Sequence, residues 1–143
     1  MSRRAWGRGI AGLVVAAWAT PVLAAQSQGP VLGWINDARR AHGLTSLLGD
    51  RSLSAAASEH SRAMAERGTL FYHADAKSLR EGCDRLTQFE ARADTLAGAY
   101  RAAMESAEHQ RQVFGDYDHA GVGQARDASA VYVTWFFLRS ATS

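Results

Sequence analysis

Two histidines and one glutamate give this sequence its clearest candidates for site chemistry. His73 follows an aromatic pair in a predicted loop, Glu81 stands in a polar stretch, and His109 comes just after a predicted helix start. Two imidazoles and a carboxylate can hold a divalent ion such as zinc, or they can form a hydrogen-bonded cluster without an ion. The three share no short ligand motif such as H-x-x-x-H, so their spacing alone does not bring them together. Taken singly, each is equally consistent with a surface or half-buried polar residue.

Three other reactive side chains are better explained as structural. Ser106 precedes His109 by three residues, but no G-x-S-x-G motif or orienting acid accompanies it, so we interpret it as a helix N-cap. Cys83 is the single cysteine, which excludes an internal disulfide and favours an inert thiol. An intermolecular disulfide or a nucleophile are its alternatives. His60 lies on an apolar helix stripe, where a core histidine with satisfied ring nitrogens is more common than a site residue.

The first 24 residues are typical of a secretory signal. Arg3, Arg4 and Arg8 precede an uncharged segment, residues 10–19, which is too short to span a bilayer. The small residues around Ala24 fit a signal-peptidase site, so we expect cleavage after that residue, with an uncleaved anchor as the alternative. This predicts a secreted or periplasmic protein with no transmembrane segment once the signal is removed.

The mature chain is predicted to be one domain of nearly neutral charge. We expect residues 25–30 to be a mobile lead-in and residues 31–139 to form the domain. The 16 basic and 14 acidic side chains become 13 and 14 when the three signal arginines are lost, a net charge of −1. A basic surface for nucleic acid is therefore not expected.

Periodicity predicts helices in the first two thirds of this domain. Apolar residues at helical spacing predict a helix over residues 31–41, and a second helix between an Asp50 or Ser52 cap and Gly68. The pattern over residues 86–104 is predicted to be the longest remaining helix. Ser106 should cap a further short helix.

The end of the chain predicts a β-hairpin. Residues 121–125 and the apolar run 130–138 are the two strands, and Trp135 with its neighbours should be buried on both faces of a sheet. Residues 69–72 are the candidate third strand. The class is therefore α+β, with helices covering a small antiparallel sheet.

Several of these segments resemble the CAP superfamily, which comprises cysteine-rich secretory proteins, antigen 5 and pathogenesis-related 1 proteins. The resemblance extends from about residue 31 to residue 138, and it is closest to the bacterial SCP-like extracellular branch. It implies an α-β-α sandwich. The matching motifs are Asn36-x-x-Arg39 with Gly43-Leu44, His60-Ser61-x-x-Met64 with Gly68 and His73, Ser106-x-x-His109, Gly121-Val122-Gly123, and Val131-Tyr132-Val133-Thr134-x-Phe136.

The resemblance also implies a shared cleft, with departures from the family pattern. His73 and His109 would be its metal ligands, with no cofactor required. The implied cleft residues are His73, Glu81, Ser106, His109 and Tyr132. Animal and plant members carry a histidine where Tyr132 stands and a glutamate where Ser106 stands. The G-E-N motif is degraded, so that either Glu81 or Cys83 takes the place of its glutamate.

The function implied is a non-catalytic binding module acting outside the cytoplasm. Its partner would be a small molecule, a lipid, a metal ion or an envelope protein. The alternative is a metal-assisted hydrolase of an envelope polymer or peptide, which would use the same cleft with an open coordination position on the ion.

Overall fold

The computed structural model describes residues 29–72, 79 and 81–141. Within them lie four helices and four strands. The helices are α1 (Val31–Ala41), α2 (Arg51–Arg67), α3 (Leu96–Met104) and α4 (Ala107–Val113). The strands are β1 (Leu48–Gly49), β2 (Cys83–Ala93), β3 (His119–Arg126) and β4 (Val131–Ser140).

The strands form one sheet in the order β1-β3-β4-β2. Strand β4 is antiparallel to β3 on one side and to β2 on the other. The short β1 pairs with β3 in the parallel direction, so the sheet is mixed. The predicted α+β class and the C-terminal hairpin are confirmed, and the antiparallel description holds for every pair except β1 with β3.

Strand β4 is buried on both faces, as its sequence predicts. Val131, Val133 and Trp135 are at most 2% exposed, and Tyr132 and Phe136 on the opposite face are fully buried. Residues of α1, α3 and α4 pack on the face that carries Trp135, whereas α2 packs on the other face. The result is an α-β-α sandwich.

Two glycines of β3 allow α2 to lie directly on the sheet. A Cβ on Gly121 would stand 2.3 Å from the backbone of Leu53, and a Cβ on Gly123 would stand 2.1 Å from the backbone nitrogen of Ser58. No side chain fits in that space. The glycines of the Gly121-Val122-Gly123 motif therefore set the separation between the helix and the sheet.

The Asn36-x-x-Arg39 motif has a structural role. The amide of Asn36 donates to the Leu47 carbonyl at 3.0 Å and accepts from the Leu47 N–H at 2.7 Å. Arg39 is 2% exposed and donates to the carbonyls of Thr45, Val113 and Gly115 at 2.7–2.9 Å. Burial lowers the pKa of Arg39, while the carboxylate of Asp116 acts in the opposite direction.

Two local predictions are wrong. Residues 86–93 belong to strand β2, and the helix predicted over residues 86–104 begins only at Leu96, after a Thr95 cap. Residues 69–72 form no strand, so the third long strand is β2. The predicted caps of α2 and α4 are confirmed: Asp50 accepts from the Leu53 N–H and Ser106 accepts from the His109 N–H.

Replacing Arg39 by methionine should lower the free energy of unfolding by about 3–5 kcal/mol, because three carbonyl oxygens lose a charged donor in a dry interior. Urea denaturation measures the change. The matched control is Arg40→Met, since Arg40 is the exposed neighbour on the same helix. Equal, small effects of the two substitutions would show that the buried guanidinium is not needed.

Candidate functional site

His109 is the predicted site residue with the most unusual surroundings. Its ring stacks on Phe89 with centroids 4.5 Å apart, and Phe89 in turn contacts Trp135 edge-on at 4.3 Å. Among the described residues, three buried side-chain polar atoms have no hydrogen-bond partner: Nδ1 of His109, Oε1 of Gln112 and Nε1 of Trp135. Unpaired buried polar atoms are rare in native proteins. Two of these atoms, on His109 and Trp135, belong to rings that contact Phe89, so hydrogen-bonding capacity around Phe89 is not used by the described side chains.

Ser106 stands next to His109 as a cap. Its Oγ accepts a hydrogen bond from the backbone N–H of His109 at 3.4 Å and begins α4. This is the N-cap interaction that the sequence predicts. Among the described residues, the hydroxyl of Ser106 bonds to this backbone N–H and not to the imidazole of His109. The pair therefore lacks the contact through which a base activates a nucleophile.

Tyr132 lies on the other face of the sheet from His109. Successive residues of a strand point to opposite faces, so Tyr132 faces α2 whereas Trp135 faces α4. The Tyr132 hydroxyl donates to Oδ2 of Asp127 at 2.9 Å. Hydrogen bonds from the Ser129 N–H and from Tyr132 lower the pKa of Asp127 to about 2. Tyr132 thus stabilises the turn between β3 and β4.

The structure does not place Glu81 beside His109. Glu81 is exposed and lies in the turn before β2. Phe89, on which His109 stacks, is six residues beyond the start of β2 at Cys83, which is roughly 20 Å along an extended strand. His73 falls outside the described residues, so its pairing with His109 stays a prediction.

A second group of polar residues lies between α2 and β2. His60 donates from Nε2 to the Phe71 carbonyl at 2.7 Å, and the same nitrogen is 3.6 Å from Oε2 of Glu90. Gln88 donates to that carboxylate oxygen at 2.6 Å. Burial raises the pKa of Glu90, and the bond from Gln88 only partly opposes this rise. The interpretation of His60 as a satisfied core histidine is confirmed.

Sequence reasoning missed Glu90 because the pattern over residues 86–104 predicts a helix. The signal that could have found it is the alternation of Gln88, Glu90 and Arg92 with Phe89 and Ala91. That alternation has the period of a strand and places all three polar residues on one face.

A serine, a histidine and an aspartate also meet at the end of β4. Nδ1 of His119 is 2.8 Å from the carboxylate of Asp118 and 3.3 Å from Oγ of Ser140. A catalytic triad uses the two different ring nitrogens for these two contacts. Burial acts to raise the pKa of Asp118, but bonds from His119 and Ser140 bring it below its ordinary value. The cluster fixes the strand end and is not arranged as a triad.

An open apolar groove of about 400 Å³ lies between α1 and α3. Trp34 and Tyr100 form its aromatic side, with ring centroids 5.4 Å apart. The Tyr100 hydroxyl donates to the Trp34 carbonyl at 3.2 Å, and burial followed by the charge of Asp37 raises its pKa. The remaining lining residues are Ala97, Arg101 and Met104. The groove thus combines a largely apolar wall with one guanidinium.

The part of the chain that the structure describes contains neither a cluster of metal ligands nor a membrane-spanning helix. No group of three or more His, Cys, Asp or Glu side chains among its residues could hold a metal ion. None of its helices has the length and apolar character needed to cross a bilayer.

The sequence matches a family model described as the cysteine-rich secretory protein family, or CAP, over residues 32–138. A search of curated proteins finds no significant match. Solved structures resemble the fold at low sequence identity. An outer surface protein from Borrelia burgdorferi has a TM-score of 0.68 and 16% identity over 77% of this chain and 90% of that protein.

Two longer bacterial proteins share the fold. An extracellular protein containing an SCP domain from Bacillus anthracis has a TM-score of 0.64 over 77% of this chain and 39% of its own. A cysteine-rich secretory protein from Staphylococcus aureus has a TM-score of 0.63 over 77% and 37%. Both are 19% identical to this chain. The chain therefore spans less than two fifths of either protein, and these likenesses establish fold only.

Replacing Glu90 by glutamine should increase stability at neutral and alkaline pH. The pKa of Glu90 is raised in the folded state, so the folded protein holds this proton more tightly than the unfolded chain does. The resulting contribution to the free energy of unfolding is present at low pH and is lost as the pH rises through the folded-state pKa. Glutamine removes the cost of burying the charge. The gain in melting temperature should therefore be largest near pH 8 and shrink towards pH 4.

The control for this pH series is Glu66→Gln, because Glu66 is exposed on α2. It should give no pH-dependent difference from the wild type. A loss of stability in Glu90→Gln at pH 8 would contradict the expectation, and would show that attraction to His60 outweighs the cost of burial.

Proposed function

The chain belongs to the cysteine-rich secretory protein (CAP) family, and from this premise we propose that it is an exported binding module without catalytic activity of its own. Export is supported by the signal-like residues 1–24. It is also supported by two relatives of the same fold, which are described as an outer surface protein and an extracellular protein. The site of action is outside the cytoplasm, in the periplasm or beyond it.

The proposed ligand is a single-chain lipid with an anionic head group, bound in the groove between α1 and α3. The groove has the volume of a small-ligand pocket, and its wall of Trp34, Tyr100 and Met104 offers apolar contact. Arg101 forms no ion pair with any described residue, so its charge is available to a carboxylate or phosphate head. This juxtaposition of an apolar wall and an unpaired guanidinium carries the proposal.

The absence of catalysis is supported by the arrangement of the reactive groups. Among the described residues, sequence or geometry suggests two serine–histidine pairs, and neither is arranged for catalysis. Ser106 caps the helix that carries His109. Ser140 and Asp118 both contact the same ring nitrogen of His119. Neither pair provides a nucleophile and a separately oriented base.

Lipid binding can be followed by tryptophan fluorescence, since Trp34 and the buried Trp135 are the two tryptophans beyond residue 24. Titration with palmitate should change the emission, because Trp34 lines the groove. Met104→Glu places a like charge in the groove and Arg101→Glu reverses the charge of its cation. Each should weaken palmitate binding by roughly tenfold or more, which corresponds to ~1.4 kcal/mol.

Arg111→Glu is the matched control, because this exposed arginine lies on α4 and does not line the groove. It should bind palmitate as the wild type does. Hexadecanol, which lacks the charge, should bind the wild type and Arg101→Glu equally. Palmitate affinities that are the same in all the variants would exclude the groove as the binding site.

A metal-dependent function is the second candidate, and one observation favours it. Nδ1 of His109 is buried and has no partner among the described residues, as a metal-ligating nitrogen would be before the ion binds. In this alternative His73 and His109 hold a zinc ion, which would supply Lewis-acid activation of water for hydrolysis of an envelope polymer or peptide. His109 fits the role, while Glu81 lies too far along the chain to complete the ligand set.

Zinc should raise the melting temperature of the wild type if this second candidate is right. His109→Ala and His73→Ala should each abolish the rise, because two histidine ligands are needed for tight binding. His42→Ala is the control, since the exposed His42 stacks on Phe114 at the end of α1. A zinc-induced rise that persists in the double variant His73→Ala/His109→Ala would exclude this site.

A further inference from the structure

The helices α3 and α4 each carry a stripe of the same composition. The stripe on α3 borders the groove described above, and the stripe on α4 lines a second open depression of about 580 Å³. Each stripe occupies positions i, i+3, i+4 and i+7, which lie on one helix face. In this order both stripes have an alanine, a side chain that donates to a backbone carbonyl, an arginine and a large apolar residue. They are Ala97, Tyr100, Arg101 and Met104 on α3, and Ala107, Gln110, Arg111 and Phe114 on α4.

The two stripes follow one another along α1. The side-chain amide of Gln110 donates to a backbone carbonyl at the end of α3, which joins the second stripe to the first. Trp34, near the start of α1, contacts Tyr100, whereas His42 at its end stacks on Phe114 with ring centroids 3.8 Å apart. Trp34 and His42 are eight positions apart, which is about 12 Å along a helix. The groove and the second depression therefore form one trough beside α1.

Both arginines of the trough lack an ionic partner among the described residues. Neither Arg101 nor Arg111 forms an ion pair there. Glu105 and Glu108, the acidic residues between them in sequence, are exposed and form none with them either. A guanidinium can donate two parallel hydrogen bonds to one carboxylate or phosphate. The trough thus offers two positions for an anionic group.

The stripe between these two positions is uncharged. It carries Met104, Ala107 and the amide of Gln110. The chain path from the Cα of Arg101 to the Cα of Arg111 comprises seven helical and three extended steps, so these atoms are at most about 22 Å apart. A ligand that matches the trough therefore has an anionic group at each end and an apolar chain between them.

We propose that the ligand of the groove is a long-chain lipid with two anionic ends, of the α,ω-dicarboxylate class. One carboxylate binds at Arg101, the chain lies against Met104, and the second carboxylate binds at Arg111. This inference rests on the proposed function, because the first carboxylate and the chain are those of the lipid placed between α1 and α3. It adds a second anchor, which narrows the class of ligand.

The opposing possibility is that Arg111 is a solvated surface residue, since many helices present a periodic polar face to water. The two cases differ in how a second carboxylate on the ligand affects binding. If Arg111 is only solvated, the second carboxylate adds no affinity. If Arg111 is an anchor, the second carboxylate raises the affinity, and the increase requires the charge of Arg111.

Isothermal titration calorimetry with hexadecanedioate and its monomethyl ester tests the proposal, because the two ligands share one chain and differ by one charge. The wild type should bind one hexadecanedioate per chain, about tenfold more tightly than the ester. Arg111→Met removes the charge and keeps an unbranched side chain, so it should abolish this preference. The affinity of Arg111→Met for palmitate, which has a single carboxylate, should equal that of the wild type.

Arg62→Met is the matched control, because Arg62 is exposed on α2, on the other side of the sheet. It changes the net charge equally and should keep the preference for hexadecanedioate. Succinate, which has two carboxylates but no long chain, should bind far more weakly than palmitate. Circular dichroism of each variant checks that the fold is intact.

The outcomes separate this inference from the proposed function. A wild type that binds palmitate but does not prefer hexadecanedioate to the ester would overturn the second anchor and leave the groove as a lipid site. So would a preference that persists in Arg111→Met, one that is also lost in Arg62→Met, or binding of two hexadecanedioate molecules per chain. If neither palmitate nor hexadecanedioate binds, the proposed function fails and this inference fails with it.

Discussion

The buried guanidinium of Arg39 is the interaction on which one whole layer of the sandwich depends. It joins the end of α1 to the carbonyl at the end of α4 and to the loop that leads into β3. A helix C-terminus presents unpaired carbonyls with partial negative charge, and a guanidinium has five donors and no acceptor. One side chain can therefore satisfy several carbonyls that would otherwise be buried without partners. The positions of α4 and of His109 on it follow from that connection.

The two faces of the sheet have different chemistry. The face under α1, α3 and α4 is aromatic, with Phe89, Trp135 and Phe137 in mutual contact. The face under α2 is crossed by polar pairs, such as Ser61 with Thr134 at 2.8 Å. Of the residues that the family resemblance assigns to one cleft, Tyr132 lies on the face under α2, Ser106 and His109 lie on the other side with α4, and Glu81 lies in the turn before β2. These four described residues do not line a single polar cavity.

Much of the fold could be predicted because its signals are local. The caps at Asp50 and Ser106 and the apolar run of β4 act within a few residues of where they stand. Strand β2 could not be predicted in the same way. Phe89, Ala93 and Leu96 recur at intervals that fit one helix face. The helix nevertheless begins only after the Thr95 cap, although the helical spacing of these apolar residues runs through that position. Pairing with β4, a contact distant in sequence, decides the conformation there.

The site was less predictable than the fold for a related reason. The types of residue in a motif indicate which side chains matter, but not whether they serve chemistry or packing. Arg39 and Tyr132 stand in motif positions and satisfy backbone and turn partners. The groove at Trp34 and Tyr100 is made by two helices whose crossing depends on packing over the whole domain. No spacing within either helix reveals it.

The central position of β4 also governs when the domain can fold. This strand follows every other described element in sequence, yet it supplies the buried surface against which both helical layers pack. Until residues 131–140 have been synthesised, α1 and α2 have no complete sheet to cover, and β2 has no neighbour. A nascent chain with this order of elements keeps its core open until residues 131–140 have left the ribosome. Under the export proposed above, such late closure of the core would keep these segments unfolded, and so able to cross a membrane, while they are being synthesised.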